Sequence, residues 1–508
     1  MAKSQRFGSW IFLFYLFFTK IENQEIEEED IPEECKKYPS LRTLYYKQRD
    51  TFRYNNSRFS QLSLCEDTIT DIPDEIGFCD HILWIYLENC WNITRLPDSI
   101  GNCVLLRTLN LLGCSITNLP DTIGNCYRLE DLDISHCKFI TRFPSSISNC
   151  KNLKRVCASS SGIIELKEIV KCPSLKSLKL SYCNISNIQC IQESSSLKTI
   201  DLSFSSISTL PTCIPSSLEK LDLSCTLIKL PRILKNYENL KELQICCKNI
   251  SILPSSISNC LNLDFLEISR TSISSLPNSI GSLLNLKYFF LNNCKILEFP
   301  ETLGNCKSLE IITAQRCDLK RLPKSIGKLS SLRRLTICCN PLSEIPAEIG
   351  NCCKLTDLNV SYCNVDVLPE EIGNCTKLRR LLLNDNPLSG LPSEIGMCGL
   401  KKLDVTNTAL GCFPIELSRC TALKELNFAF TRIMSLSSEL CKNLKRITFS
   451  PSVVSLPPNV FQIEHVCIAE TRFNSSQFEF SRFEPGSGYG KNILWPYISN
   501  CQERRGYE

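Results

Sequence analysis

The sequence predicts an α/β solenoid. Short coils stack side by side, each giving one strand to a parallel sheet on a concave face and a short helical or irregular segment to the convex face of a curved horseshoe. Three observations predict it. An apolar frame of the form L-x-x-L-x-L recurs from Phe59, Ile82, Leu106 and Leu129 through to Leu423, Leu444 and Ile463, at intervals of 21 to 24 residues until a final one of 19. Within each copy, polar residues alternate with the apolar ones. A second apolar cluster then ends in proline. Periods of this length belong to repeat architectures whose units bury a core only by stacking.

Each part of the unit has a local cause. In "LRTLNLLG", residues 106–113, Leu109 and Leu111 point to one side while Thr108 and Asn110 point to the other, the period-two pattern of a half-buried strand. Proline, as Pro120 in "ITNLP", has no N–H to give to a ladder, so the strand stops there and the chain turns outward. "DSIGNC" and "EEIGNC" then form a brief helical or irregular return with isoleucine facing inward. An imperfect copy, "IPEECKKYPSLRTLYY", precedes the rest with Leu41 and Leu44 in register. The expected organisation is a signal-like apolar segment and acidic linker over residues 1–30, the repeat domain over 31–473, and a cap or tail over 474–508.

The full frame, L-x-x-L-x-L-x-x-[C/N/T/S]-x-I-x-x-L-P followed by x-x-I-G-N-C, resembles the leucine-rich-repeat family over about residues 31–473. Its "LPxxIGNCxxL" connector is most similar to the intracellular Ras-group, or Ras-scaffold, subtype. The resemblance implies a leucine-rich-repeat solenoid and a non-catalytic scaffold that presents its concave surface to a protein partner, with small GTPases and other signalling proteins in the range the subtype implies. The competing reading is a secreted or cell-surface recognition protein for host or environmental ligands.

Composition narrows the partner. The 508-residue chain carries 57 Lys and Arg against 53 Asp and Glu, so its overall field gives no reason to expect nucleic acid, and a monomer is expected. "MAKSQRFGSWIFLFYLFFTK" sets Lys3 and Arg6 before an apolar run from Trp10 to Phe18, with no small-x-small cleavage site after it. It reads either as a secretory signal or poor anchor, or as an apolar segment folded onto the first coil; the first would place the chain in the secretory pathway or at the cell surface, the second leaves it in the cytoplasm.

Register sorts the 33 cysteines. None stands at C-x-x-C spacing, which removes the usual zinc and thioredoxin signatures. Cys103, Cys126 and nine more lie three residues before a repeat start, and Cys398 lies two before. Cys90, Cys114, Cys137, Cys183, Cys294, Cys317 and Cys363 hold the position after L-x-L where the family usually has asparagine, which Asn340 and Asn386 retain and Thr226, Thr271 and Thr408 replace by a hydroxyl. Packed thiols with weak S–H donors are expected there, and the vicinal pairs at 246–247, 338–339 and 352–353 read as side chains pointing different ways.

No catalytic constellation emerges, and neither a cofactor nor a metal is expected. His81, His136 and His465 fall in three separate coils, and "GSGYGK" at 486–491 lacks the strand-to-helix context and the Ser or Thr of a P-loop. Sequons at Asn55, Asn92, Asn184, Asn249, Asn374 and Asn474 are about as frequent as chance allows. Binding is expected on the polar strand positions. Three consecutive coils offer Phe265 with Arg270, Tyr288 with Phe290, and Arg316, residue types that anchor interfaces. Trp84 with Tyr86 makes a second patch, while Tyr182, Phe204, Tyr362 and Phe430 occupy the last exposed strand position singly. Arg333-Arg334, Arg379-Arg380, Lys401-Lys402 and Lys445-Arg446 form a basic column that reads as a solvated face. Beyond Phe473 the register fails, and Phe478, Phe480, Trp495 and Tyr497 are candidates to cover the last coil.

Overall fold

The computed structural model describes residues 33–51, 60–65, 69–211, 213–228, 230 and 237–469. The apolar N-terminal run, the tail aromatics from Phe478 to Tyr497 and the sequons at Asn55 and Asn474 lie outside the described residues. The chain divides into two compact units, one taking in the chain through Cys137 with Pro144–Leu153, the other Lys138–Phe143 with the chain from Lys154 onward.

In the first unit the strands Gln61–Cys65, Trp84–Glu88, Thr108–Asn110 and Asp131–Asp133 pair in parallel in chain order. Fifteen strands, from Arg155–Cys157 to His465–Ile468, do the same in the second. Register follows the repeat: Leu109 pairs with Leu132, and Leu266 with Phe289. Equal addresses therefore stack into columns. The leucine columns are the core, with Leu106, Leu109, Leu111 and Leu129 fully buried. The alternating strand positions are half exposed on the open face of the sheet.

The return segments are five-residue 3-10 turns such as Asp98–Asn102, Asp121–Asn125 and Glu370–Asn374. Proline sits directly before each, with φ of −69°, −66° and −68°, and its carbonyl accepts the N–H of the isoleucine three residues on at 3.0–3.1 Å. Proline thus ends the strand side and starts the turn in one step, since its fixed φ suits the entry and its carbonyl begins the i to i+3 pattern. The isoleucine is carried inward: Ile100, Ile123 and Ile372 are fully buried.

One expected repeat is not a strand. Pro39–Thr51 forms an α-helix that buries Leu41 and Leu44 and packs against the first strand. The L-x-x-L spacing also defines one face of a helix, and Pro39 is well suited to a first helical position. The apolar edge of the first coil is covered by this helix, with Tyr38 stacked on Phe78 at 4.9 Å. At Ser438–Cys441 a short helix capped by the Ser437 hydroxyl, which accepts the Leu440 N–H at 3.3 Å, takes over the role of the proline-led turn.

Glycine in "IGNC" answers to coil spacing. A Cβ on Gly124 would lie 2.5 Å from the Ser146 carbonyl oxygen and 2.8 Å from its Cβ in the following coil. Gly124→Ala is expected to lower stability by about 1–3 kcal/mol through this overpacking, measured by urea denaturation, whereas Gly390→Ala, with open space around the added methyl, changes it little.

Candidate partner-binding face

The open face is held in place from behind. At the turn position, thiols reach back to carbonyls of the preceding coil: Cys114 Sγ donates to Leu87 O at 3.0 Å, Cys137 to Leu111 O at 3.0 Å, Cys294 to Ile268 O at 2.9 Å and Cys317 to Leu291 O at 2.8 Å. Asn340 and Asn386 make the same reach, Nδ2 to Ala314 O at 2.8 Å and to Val360 O at 2.9 Å, and add a second bond within their own coil. Thr226 and Thr408 bond within their own coil, to Leu223 O and Val405 O. Cys247 joins this ladder, donating to Leu223 O at 3.0 Å. The frame missed it because the link from strand to turn in this coil is one residue shorter, so the turn falls one place early and the residue is made up before Ile250. Its vicinal neighbour Cys246 faces the other way, half exposed, as Cys353 does beside buried Cys352.

A second thiol ladder runs along the 3-10 turns. Cys103, Cys126, Cys150, Cys306, Cys352 and Cys375 donate at 3.3–3.4 Å to the carbonyl of the turn residue one coil back, such as Ile76 O and Ile100 O. Burial pushes these thiols up, Cys103, Cys150 and Cys352 to about 12. These ladder cysteines are free thiols rather than disulfides.

At the exit of each strand the chain takes a left-handed residue. Fourteen non-glycine positions among the described residues have φ between 53° and 61°, all at this address. The conformation turns the backbone N–H toward the following coil: Tyr182 N donates to Ser203 O at 2.9 Å and Arg270 N to Asn292 O at 2.7 Å. Asn89, Asn293, Asn407 and Asp385 are residue types that tolerate it. Tyr182, Phe204, Tyr362, Phe430, Arg270 and Arg316 carry the same backbone at a cost of about 1–2 kcal/mol each, and all six project into solvent. Two of these aromatics are not single. Tyr182 and Phe204 leave consecutive strands and stack at 4.2 Å between centroids with planes 6° apart, although 59% and 46% exposed. Their shared address in adjacent coils is the signal that pairs them.

The central patch is assembled by register. Phe265 pairs with Tyr288, and Glu267 with Phe290, across the strands Phe265–Glu267 and Tyr288–Phe290. The Phe265 ring lies 6.3 Å from Tyr288 and 5.3 Å from Phe290, tilted by 46° and 42°. All three are half buried, and Ile311, opposite Tyr288 on the next strand, extends the apolar strip by one coil. Sequence reading passed over Ile311 because it sought aromatics. Arg270 and Arg316 stand exposed at the strand exits on either side of the central coil. Trp84 and Tyr86 share one strand of the first unit, both half buried, opposite Gln61 and Ser63 on one side and Thr108 and Asn110 on the other.

The charged columns are mostly neutralised across coils. Glu219 sits between Lys198 at 2.6 Å and Lys241 at 2.9 Å, and these ammonium groups hold its carboxyl down to about 2. In the basic column Arg333 meets Glu310 and Arg380 meets Asp357, each at 3.6 Å, while Lys402 and Arg446 share Glu425. Among the described residues no group of three His, Cys, Asp or Glu side chains is arranged to hold a metal ion.

Residues 232–340, 278–358 and 321–456 match the family model described as a leucine-rich repeat region, and residues 128–150 match that of a single leucine-rich repeat. No curated protein matches the chain. Among solved structures, a leucine-rich-repeat protein of Leptospira interrogans is 25% identical with a TM-score of 0.62, covering 73% of this chain and 90% of its own. The Arabidopsis receptor kinase HAESA, in complex with the peptide hormone IDA and the co-receptor SERK1, is 21% identical with a TM-score of 0.56, covering 77% and 70%. The functional domain of InlJ from Listeria monocytogenes, described as including a cysteine ladder, is 17% identical with a TM-score of 0.53, covering 77% and 74%.

Thiols held protonated when folded but free to ionise when unfolded tie stability to pH. Below the unfolded value near 9 both states keep the proton and nothing changes; as pH rises from about 9 toward the folded value of about 12, the unfolded state loses protons first and stability falls. The expected outcome, followed by circular dichroism under reducing conditions, is a loss of unfolding free energy that begins near pH 9 and is weaker when Cys103, Cys126 and Cys150 are replaced by alanine.

Proposed function

We propose that this chain, which folds as a leucine-rich-repeat solenoid, is a non-catalytic recognition scaffold that captures a protein or peptide partner on the open sheet face of its second unit. Phe265, Tyr288 and Phe290 are the anchors, Arg270 and Arg316 the polar margin, and Trp84 with Tyr86 a separate contact on the first unit. The observation that carries this is the meeting of three aromatic rings on a face whose other positions are mainly charged or hydroxylic. Such rings bury large area on binding with few rotors to immobilise. HAESA, which shares the fold, is described in complex with a peptide hormone, and this supports a peptide or protein as the kind of partner.

For the partner's setting, the "LPxxIGNCxxL" connector favours an intracellular signalling protein such as a small GTPase. The second reading is an extracellular ligand, favoured by the exposed sequons Asn92, Asn184, Asn249 and Asn374. Mass spectrometry of the purified protein separates the two: a cleaved N-terminus with glycan on these residues selects the second, an intact Met1 without glycan the first.

The triple variant F265A/Y288A/F290A is expected to abolish partner capture, since anchors of this kind are worth about 2 kcal/mol or more each, while global stability changes by about 1 kcal/mol or less. Affinity capture beside thermal unfolding checks it, and undiminished capture would overturn the assignment.

A further inference from the structure

Arg270 and Arg316 occupy strand exits two coils apart, with Asn293 at the same address between them and left-handed backbones of 56°, 53° and 58°. Asparagine relieves that conformation through its short polar side chain; arginine carries the steric cost without the relief. Neither guanidinium makes an ion pair or side-chain hydrogen bond among the described residues, although other arginines here find acids, Arg321 gripping Glu298 at 2.6 and 2.9 Å and Arg380 meeting Asp357. Two long cations thus stand without counter-charge, at an address where a smaller residue would fit better, on either side of the coil that carries Tyr288 and Phe290.

The spacing defines what would satisfy them. Coils lie about 4.8 Å apart, so the two arginine backbones are about 10 Å apart and both side chains can converge on one carboxylate. Phe290 to Arg316 spans three register places and Phe265 to Arg270 five, about 10 to 16 Å along the strand direction. Glu267, opposite Phe290, ends the strand Phe265–Glu267, so an incoming carboxylate is placed beyond it, at the exits where Arg270 and Arg316 stand exposed. We propose that this face takes an extended acidic peptide segment of a partner protein. The segment sets a large apolar side chain on Phe265, Tyr288 and Phe290, with a carboxylate three to five residues away held by Arg270 and Arg316. The inference rests on the reading of the aromatic cluster as the contact surface and adds the chemistry of its occupant.

The test uses the full chain and three fluorescein-labelled, end-blocked twelve-residue peptides, read by fluorescence anisotropy. One has Trp-Leu at its centre and Glu four residues away on both sides; one has Lys for Glu; one has Ser-Ser for Trp-Leu. The acidic apolar peptide is expected to bind, the other two to bind at least about tenfold more weakly, and binding to weaken as salt is raised. R270N/R316N, which suits the left-handed backbone and keeps the fold, is expected to cost at least about tenfold for the acidic peptide, and R270E/R316E to reverse the preference toward the Lys peptide. If the acidic and Lys peptides bind alike and only F265A/Y288A/F290A abolishes binding, the acidic occupant is wrong and the aromatic contact surface stands. If neither set of substitutions matters, both fall. Failure of the acidic apolar peptide to bind at millimolar concentration overturns the inference.

Discussion

A carbonyl that turns inward between two coils must meet a donor, because a buried unpaired carbonyl costs about 1–3 kcal/mol and a solenoid repeats the problem at every coil. Here a thiol meets it again and again. Cys114, Cys137, Cys183, Cys294 and Cys317 each reach an inward carbonyl of the preceding coil at 2.8–3.0 Å, and Cys103, Cys126 and Cys150 do so on the turn side at 3.3–3.4 Å. A thiol is a weaker donor than the amide of Asn340 or Asn386 and has one hydrogen to donate where they have two. It also adds apolar volume, so each cysteine serves both the core and the seam. Both functions keep successive coils in register, and register decides everything on the opposite face.

That face inherits its chemistry by columns. Position by position, residues at one address line up at the strand spacing, so a lysine in one coil meets a glutamate in the next, as Lys220 meets Glu242 and Lys402 meets Glu425. Such exposed pairs are worth only about 0–1 kcal/mol each, and their effect is to leave little net charge over most of the sheet. The exceptions are local: the ring cluster of Phe265, Tyr288 and Phe290, the stacked Tyr182 and Phe204, and Arg270 and Arg316, which have no acidic partner among the described residues. Four of these seven side chains sit on the left-handed exit residue, where the backbone bears strain for side chains that the fold itself does not use. A scaffold of this design separates tasks, with the core and seams stabilising and the strand exits free to vary.

Nearly all of the fold was legible before any coordinates. Regular spacing of the leucines places every described strand from Trp84–Glu88 onward, proline places the turns, and the cysteine addresses separate buried from exposed thiols. Legibility failed where the period was ambiguous: Leu41 and Leu44 fit a helix as well as a repeat, and Cys247 fell out of frame because its turn comes one residue early within a coil of ordinary length. The candidate site was half legible. Phe265, Tyr288 and Phe290 could be named as exposed strand residues, but which of them touch depends on ring tilts that sequence does not carry, and the acidic neighbours of the basic column, read as a solvated face, come into place only across coils.

The division has a physical reason. Properties set within one coil, such as alternation along a strand, the break at proline and the burial of the apolar frame, depend on near neighbours in the chain, and the sequence by itself determined them. Properties set between coils, such as the thiol bonds to carbonyls 26 or 27 residues away, the 4.2 Å stack of Tyr182 on Phe204 and the pairing of some arginines but not Arg270 and Arg316, arise only when coils lie side by side. Tertiary structure decided those, because the distances that govern hydrogen bonds, ring contacts and ion pairs are set across the seam.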